Sequence, residues 1–211
     1  MVKIGLTGNK FSGKNTICKM FKQIGVPVFD ADVVLKFILL HDLPTIKIIK
    51  DKYGSRFLDG YFLDKSKIKS KDDFDLIVDC AENSLMKAYE KFNSKNHIYT
   101  IFKSSILFER EWNKDMDYSV NIFCPKIHRM ERYKEMTGLK VSDIAYNLRN
   151  EVDDLKKNSM SNFVIHNYEG NNSPLDQVNK IDSFVIDEYL NRKKNERLTP
   201  DGKGIIISQH F

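Results

Sequence analysis

The sequence predicts an α/β fold in which a parallel, doubly wound sheet is flanked by helices. Three observations lead there. Short apolar segments of strand length alternate with segments whose apolar residues recur at helical spacing. The first strand runs into a glycine-rich loop, Gly8-Asn-Lys-Phe-Ser-Gly13-Lys14, whose G-x4-G-K spacing suits a phosphate. A second short strand ends in Asp30-Ala31-Asp32, at the strand edge where parallel sheets bind their ligands.

In chain order, a strand is expected over 3–7, followed by a helix over 14–24 with Ile17, Met20, Phe21 and Ile24 on one face. Gly25 ends that helix. Val26-Pro-Val-Phe29 is a second strand, and helical patterns follow at about 33–40 and 44–53. Residues 54–63 are turn-rich, with Asp59-Gly60 the clearest signal. A long helix is expected over 71–93, then buried strands at 98–102 and 118–123. A basic helix at 126–136 precedes helices at 141–148 and 150–159, a strand at 163–165 and a last helix at 174–193. Helices between successive apolar strands imply parallel pairing. From Asn191 the chain reads as a solvated tail up to Ile205, and Ile205-Ile-Ile207 has the character of a strand or docking segment. The organisation expected is one domain over 1–190 and a tail over 191–211.

The loop carries the first chemical inference. Gly8 allows a tight turn off the strand, and Gly13 leaves room for phosphate beside the backbone. The N–H groups of Asn9, Lys10, Phe11, Ser12 and Gly13, with the positive end of the following helix, can then surround an anion. Lys14 is placed to bridge the outer phosphates of a nucleotide, with Asn15 and Thr16 next to it. Ser or Thr normally follows this lysine and holds Mg2+; here the position is Asn15, which can meet the metal through its carbonyl oxygen or a water. The alternative is an ordinary turn with Lys14 in solvent.

Composition bounds the rest. The 211 residues are 41% apolar and 30% charged, enough to bury a core as a single domain. Thirty-four basic against 29 acidic residues, spread along the chain, give a net charge of +5. That suits a small anionic substrate and gives little support for specific nucleic-acid binding. Cys18, Cys80 and Cys124 resemble neither a disulfide framework nor a zinc site, which fits a reducing cytoplasm. No signal-peptide pattern appears, and no apolar run approaches the roughly 18 residues that span a bilayer. The five histidines show no metal spacing.

A carboxylate after the second strand can accept the proton of an attacking hydroxyl or hold Mg2+ through water. Of the pair, one Asp is expected to cap the next helix and the other to act; Asp32 is the actor.

Together these strings resemble the dephospho-coenzyme A kinase family. The matching segments are Ile4-Gly-Leu-Thr-Gly8, Val28-Phe-Asp-Ala-Asp32, Tyr53-Gly with Leu58-Asp-Gly-Tyr-Phe-Leu-Asp64, and Ser105-Ile-Leu-Phe-Glu109. Arg132 with Gly138-Leu139 resembles the start of that family's lid, and the likeness continues to Val164-Ile-His-Asn167, covering about residues 3–185. The resemblance implies a P-loop NTPase-type kinase fold with a helical lid at about 126–160. It implies ATP and Mg2+, and transfer of the γ-phosphate to the ribose 3′-hydroxyl of dephospho-CoA. Lys14 then becomes the phosphate-binding lysine, Asp32 the base, Arg132 a lid arginine, Lys157 a lid-flanking lysine and Asn167 a residue near the adenine. His128, Arg129, Arg132 and Lys134 put positive charge in one segment, and Arg129 and Arg132 share a helix face. The alternative is a solvated basic helix.

The chain also departs from that family. Met136 and Asn147 stand where it often has arginines, with Arg149 as a possible substitute; Ser161-Asn162 replaces Ala-Asp, and a His-Pro is absent from 80–85. The loop with its Gly13-Lys-Asn-Thr16 is similar to those of bacteriophage deoxynucleoside monophosphate kinases, which would make the acceptor a nucleotide 5′-phosphate. A third reading, fed by Asn15, Met136 and Asn147, is a nucleotide-binding protein without turnover. Glu109 can orient a Mg2+ water, cap a helix or form an ion pair. Tyr53, Phe57, Tyr61 and Phe62 either line an acceptor pocket or simply pack.

Overall fold

The computed structural model describes residues 1–94, 97–149, 151–170 and 173–198. Five parallel strands form the central sheet: β1 (Val2–Thr7), β2 (Val28–Asp30), and three more, here numbered β5 (Tyr99–Lys103), β6 (Tyr118–Phe123) and β7 (Phe163–His166). Their order is β2-β5-β1-β6-β7. A two-residue hairpin, β3 (Leu58–Asp59) and β4 (Phe62–Leu63), lies in the turn-rich stretch. The helices are α1 (Lys14–Gln23), α2 (Ala31–His41), α3 (Leu43–Tyr53), α4 (Lys71–Asn93), α5 (Lys126–Thr137), α6 (Val141–Asn147), α7 (Asp154–Met160) and α8 (Pro174–Leu198).

The winding is visible in β5. Tyr99 and Ile101 enter a core made with Ile17 and Phe21 of α1 and Val178 and Val185 of α8. Phe102 enters the opposite core, with Leu35 of α2, Ile49 of α3 and Ile77 and Leu85 of α4. Alternate residues are thus buried on both faces, which is why the strand reads as a continuous apolar run. Among the described residues no helix is long and apolar enough to cross a membrane.

Caps moved several helix ends from their expected places. The Asp30 side chain accepts from Val33 N at 3.2 Å, so α2 begins at Ala31 and not at 33. Asp153 accepts from the amides of Leu155 and Lys156, so α7 starts at Asp154 and not at 150. Ser70 and Asp73 form a reciprocal capping box that starts α4 as expected. At the far end, α8 continues to Leu198, five residues past the expected stop, with Arg192 Nη1 held 2.9 Å from Asp117. Residues 191–198, read as tail, are therefore helical, and Ile205–Ile207 lie outside the described residues.

Candidate active site

The turn from β1 into α1 uses backbone conformations that side chains seldom adopt. Gly8 has φ +153°, and a Cβ there would stand 2.7 Å from the Ile122 carbonyl. Gly13 has φ +95°, and its Cβ would meet Asn167 Nδ2 at 2.0 Å. Phe11, between them, sits at φ +62° and stacks on Tyr133 at 4.1 Å. No side chain caps α1, so its first N–H groups face the neighbouring cavity. That cavity, of about 610 Å3, is lined by Phe11, Gly13, Lys14, Asn15, Thr16 and Arg132, among others. Asn9 and Ser12 are buried in the loop, and Lys10 projects its ammonium to the Asn147 carbonyl at 3.3 Å.

Lys14 folds back over the loop, donating to the carbonyls of Gly8 at 2.6 Å and Asn9 at 3.1 Å. Burial pushes its pKa down to about 8; Asp32 opposes the shift, and the nearby charges of Lys157 and Lys103 add to it. The ammonium is thus held against the loop carbonyls among charges of both signs, Asp32 and Glu151 against Lys157 and Lys103.

Of the two aspartates, Asp30 is the one that caps the following helix, α2. Its other oxygen accepts from Lys103 Nζ at 2.8 Å. Asp32, in the first turn, accepts from Ser105 N at 2.9 Å and Ser105 Oγ at 2.8 Å, with Lys103 Nζ at 3.6 Å. Burial works against the charge of Lys103, but its hydrogen bond to Asp30 and the charges of Asp32 and Asp30 outweigh this and raise its pKa. The sequence reading missed Lys103 and the part of Ser105. A lysine closing an otherwise apolar buried strand was the available signal.

Lys157 is 1% exposed. It pairs with Glu109 Oε1 at 2.9 Å and reaches the Ser105 carbonyl at 3.3 Å. Of the three roles open to Glu109, the ion pair is present. Among the described residues no group of three His, Cys, Asp or Glu is placed to hold a metal.

On α5, Arg132 donates to the carbonyls of Asn167 at 2.9 Å and Phe11 at 3.3 Å. Asn167 Nδ2 in turn donates to the Ser12 carbonyl at 2.7 Å. Both residues therefore meet at the loop. Arg129 does not join them as a free cation. It is 2% exposed and paired with Glu151 at 2.6 Å and Asp154 at 2.9 Å. Helical spacing put it on a face with Arg132, but could not tell that Arg129 alone of the two is buried. Arg149 lies on the Tyr146 ring at 3.6 Å, and Asn147 donates to the Tyr133 hydroxyl at 3.0 Å. Met136 is exposed at the rim of the large cavity.

Beyond Asp32 lies a second large cavity of about 560 Å3, lined by Leu35, Leu39, Leu40, Leu63, Ile68 and Phe74, with Lys36 and Lys65 at its wall. Of the aromatic residues at 53–62, none lines this cavity. Phe57 is buried in the core with Tyr53 edge-on to it, and Tyr61 and Phe62 are exposed on the hairpin. A smaller cavity of about 210 Å3, with Lys10, Lys71, Ser105 and Lys157 in its wall, adjoins the loop.

A parallel sheet with a phosphate-type loop, a buried lysine and a carboxylate at its edge defines a P-loop small-molecule kinase. The family model CoaE, dephospho-CoA kinase, matches residues 2–173, and the chain belongs to that family. It is 26% identical over 198 residues to a dephospho-CoA kinase of Clostridium tetani, covering 87% of this chain and 86% of the relative. A dephospho-CoA kinase of Clostridium perfringens is 27% identical over 183 residues, covering 79% and 89%. In fold, a Thermus thermophilus protein superposes with TM-score 0.69 at 18% identity, covering 89% of this chain and 97% of its own. Dephospho-CoA kinase from Campylobacter jejuni superposes with TM-score 0.57 at 15% identity, covering 88% and 98%.

Proposed function

We propose that the protein transfers the γ-phosphate of ATP to the ribose 3′-hydroxyl of dephospho-CoA, in the cytoplasm. The observation that carries this reading is the position of Asp32. Ser105 fixes its carboxylate close to Lys14 on one side, and it lines the aliphatic cavity on the other. An acceptor with a long, largely uncharged arm and a diphosphate suits that lining and its two lysines.

The loop and the start of α1 bind the ATP phosphates, and Lys14 exchanges its two carbonyl partners for them. Asp32 accepts the proton of the 3′-hydroxyl as that oxygen bonds to the γ-phosphorus. The bond from phosphorus to the bridging oxygen breaks, and ADP keeps its electron pair. Arg132, already against the loop, stabilises charge on the phosphates, and Asn167 lies where the adenosine enters. Asp32, Asn15 and Thr16 offer only oxygen ligands, which fits Mg2+ held through one or two groups and water. Mg2+ would neutralise phosphate charge. Lys157 and Lys103 add fixed cations beside the reacting group, where Met136 and Asn147 supply none.

The test is acceptor-dependent ADP release with ATP and Mg2+, offering dephospho-CoA and each deoxynucleoside monophosphate, with Lys14→Ala as the blank. Turnover with dephospho-CoA is expected. Turnover only with a monophosphate would transfer the assignment to the phage-type kinases, and ATP binding without turnover would leave a binding protein.

A further inference from the structure

Both roots of the lid meet at one buried side chain. Arg129 lies in the first turn of α5, where the chain leaves the sheet, and Glu151 and Asp154 lie where it returns. The guanidinium donates from Nε to the Cys124 carbonyl at 3.1 Å. Nη1 contacts Glu151 Oε2 at 2.6 Å and the Lys10 carbonyl at 3.1 Å, and Nη2 contacts Asp154 Oδ2 at 2.9 Å.

The carboxylates use their second oxygens on the phosphate loop. Glu151 Oε1 accepts from Lys10 N at 2.8 Å, and Asp154 Oδ1 accepts from Asn9 Nδ2 at 2.7 Å. Asn9 Nδ2 also donates to the Val152 carbonyl at 2.9 Å. Apart from the bond to Cys124, every strut joins the phosphate loop to a root of the lid, or one root to the other. The charges matter as well. Two carboxylates beside a polyanion site would repel nucleotide unless a cation held them, and Arg129 is that cation.

We propose that Arg129 is a positioning residue for phosphate transfer. It clamps Asn9 and Lys10 to both roots of the lid, so that the loop keeps its binding shape without nucleotide and the lid closes on a fixed base. The proposal rests on the reading of the loop as a nucleotide-phosphate site.

The experiment measures ATP–Mg2+ affinity by calorimetry without an acceptor, together with hydrogen exchange in residues 9–12 and 151–154 and the melting temperature. Arg129→Gln is expected to weaken ATP by about 10- to 100-fold and to speed exchange at both segments. Arg129→Lys keeps the charge but cannot reach both carboxylates and the Lys10 carbonyl together, and is expected to weaken ATP about tenfold or more. Arg129→Gln with Glu151→Gln removes one of the two carboxylates left without their cation but restores no strut between loop and lid, and is expected to stay about tenfold or more weaker than the parent.

A folded Arg129→Gln with ATP affinity and loop exchange within about twofold of the parent overturns the proposal, even if its melting temperature falls. If Arg129→Gln does not fold, Arg129→Lys decides, and unchanged affinity there overturns it equally. A parent protein that binds no ATP overturns the nucleotide reading itself, and the clamp with it.

Discussion

The two sides of Asp32 are built differently. On the nucleotide side the shape is held by the backbone, with positive φ at Phe11 and Gly13, and by the polar ties of Arg129, Asn9 and Asn167. On the side proposed for the acceptor the wall is leucine, isoleucine and phenylalanine from α2, β4 and α4 and the segments beside them. The first design presents N–H donors to a polyanion with little reorganisation on binding. The second selects by shape and apolar contact, which discriminates weakly per group. Substitutions on the nucleotide side should therefore affect every reaction the protein performs, and those on the acceptor side should separate one acceptor from another.

The sharpest way to break this contrast is at the boundary. Asp32→Asn is nearly isosteric and still accepts from Ser105 N, while Lys103 keeps its 2.8 Å partner in Asp30. If Asp32 is the base, kcat should fall by about 10²- to 10⁴-fold, with ATP affinity within a fewfold of the parent. A parallel collapse of ATP affinity would place Asp32 on the nucleotide side instead. Stopped-flow phosphate transfer and calorimetry together distinguish the two results.

A smaller, one-sided effect is expected in the apolar wall. Leu40 is half-buried and lines the cavity proposed for the acceptor, away from the loop. Leu40→Ser should raise KM for the acceptor by about tenfold and leave KM for ATP unchanged. Equal changes in both would mean that the two sides are coupled through α2 and are not separate designs.

The same division decides what could be read from sequence. The loop was legible because its geometry is local: glycines at fixed spacing, a lysine after them and a helix beyond. Asp30 and Asp32 were legible because they stand at the carboxyl end of a short apolar strand. The clamp was not, since Arg129 meets Lys10 across 119 residues and Glu151 across 22, with no periodicity linking them. Ser105 reaches Asp32 across 73 residues in the same way. Alternation of strands and helices implied a parallel sheet, but the insertion of β5 between β1 and β2 is a tertiary outcome that alternation alone does not fix. At the cavity proposed for the acceptor, the aromatic residues that stood out in sequence proved to be core or surface, and the apolar lining is mostly aliphatic.

The gentlest test of the nucleotide side is pH. With its pKa pushed down to about 8, Lys14 is charged at neutral pH and loses its proton as pH rises through that value. ATP affinity should be flat below about pH 7 and fall by roughly tenfold by pH 9, one unit above the pKa. Stability of the nucleotide-free protein should move the opposite way. Between about 8 and the ordinary lysine value of 10.5, the unfolded chain holds a proton that the folded chain has released. Lys14 therefore contributes a rise in stability with pH across that window, and a penalty that is complete below it. Bound phosphate should restore the proton, so calorimetry above pH 8 in buffers of different ionisation enthalpy should register proton uptake on ATP binding. Lys14→Met should abolish both the uptake and the opposed stability trend. If the uptake persists in Lys14→Met, the proton belongs to another group and the loop lysine binds ATP without titrating.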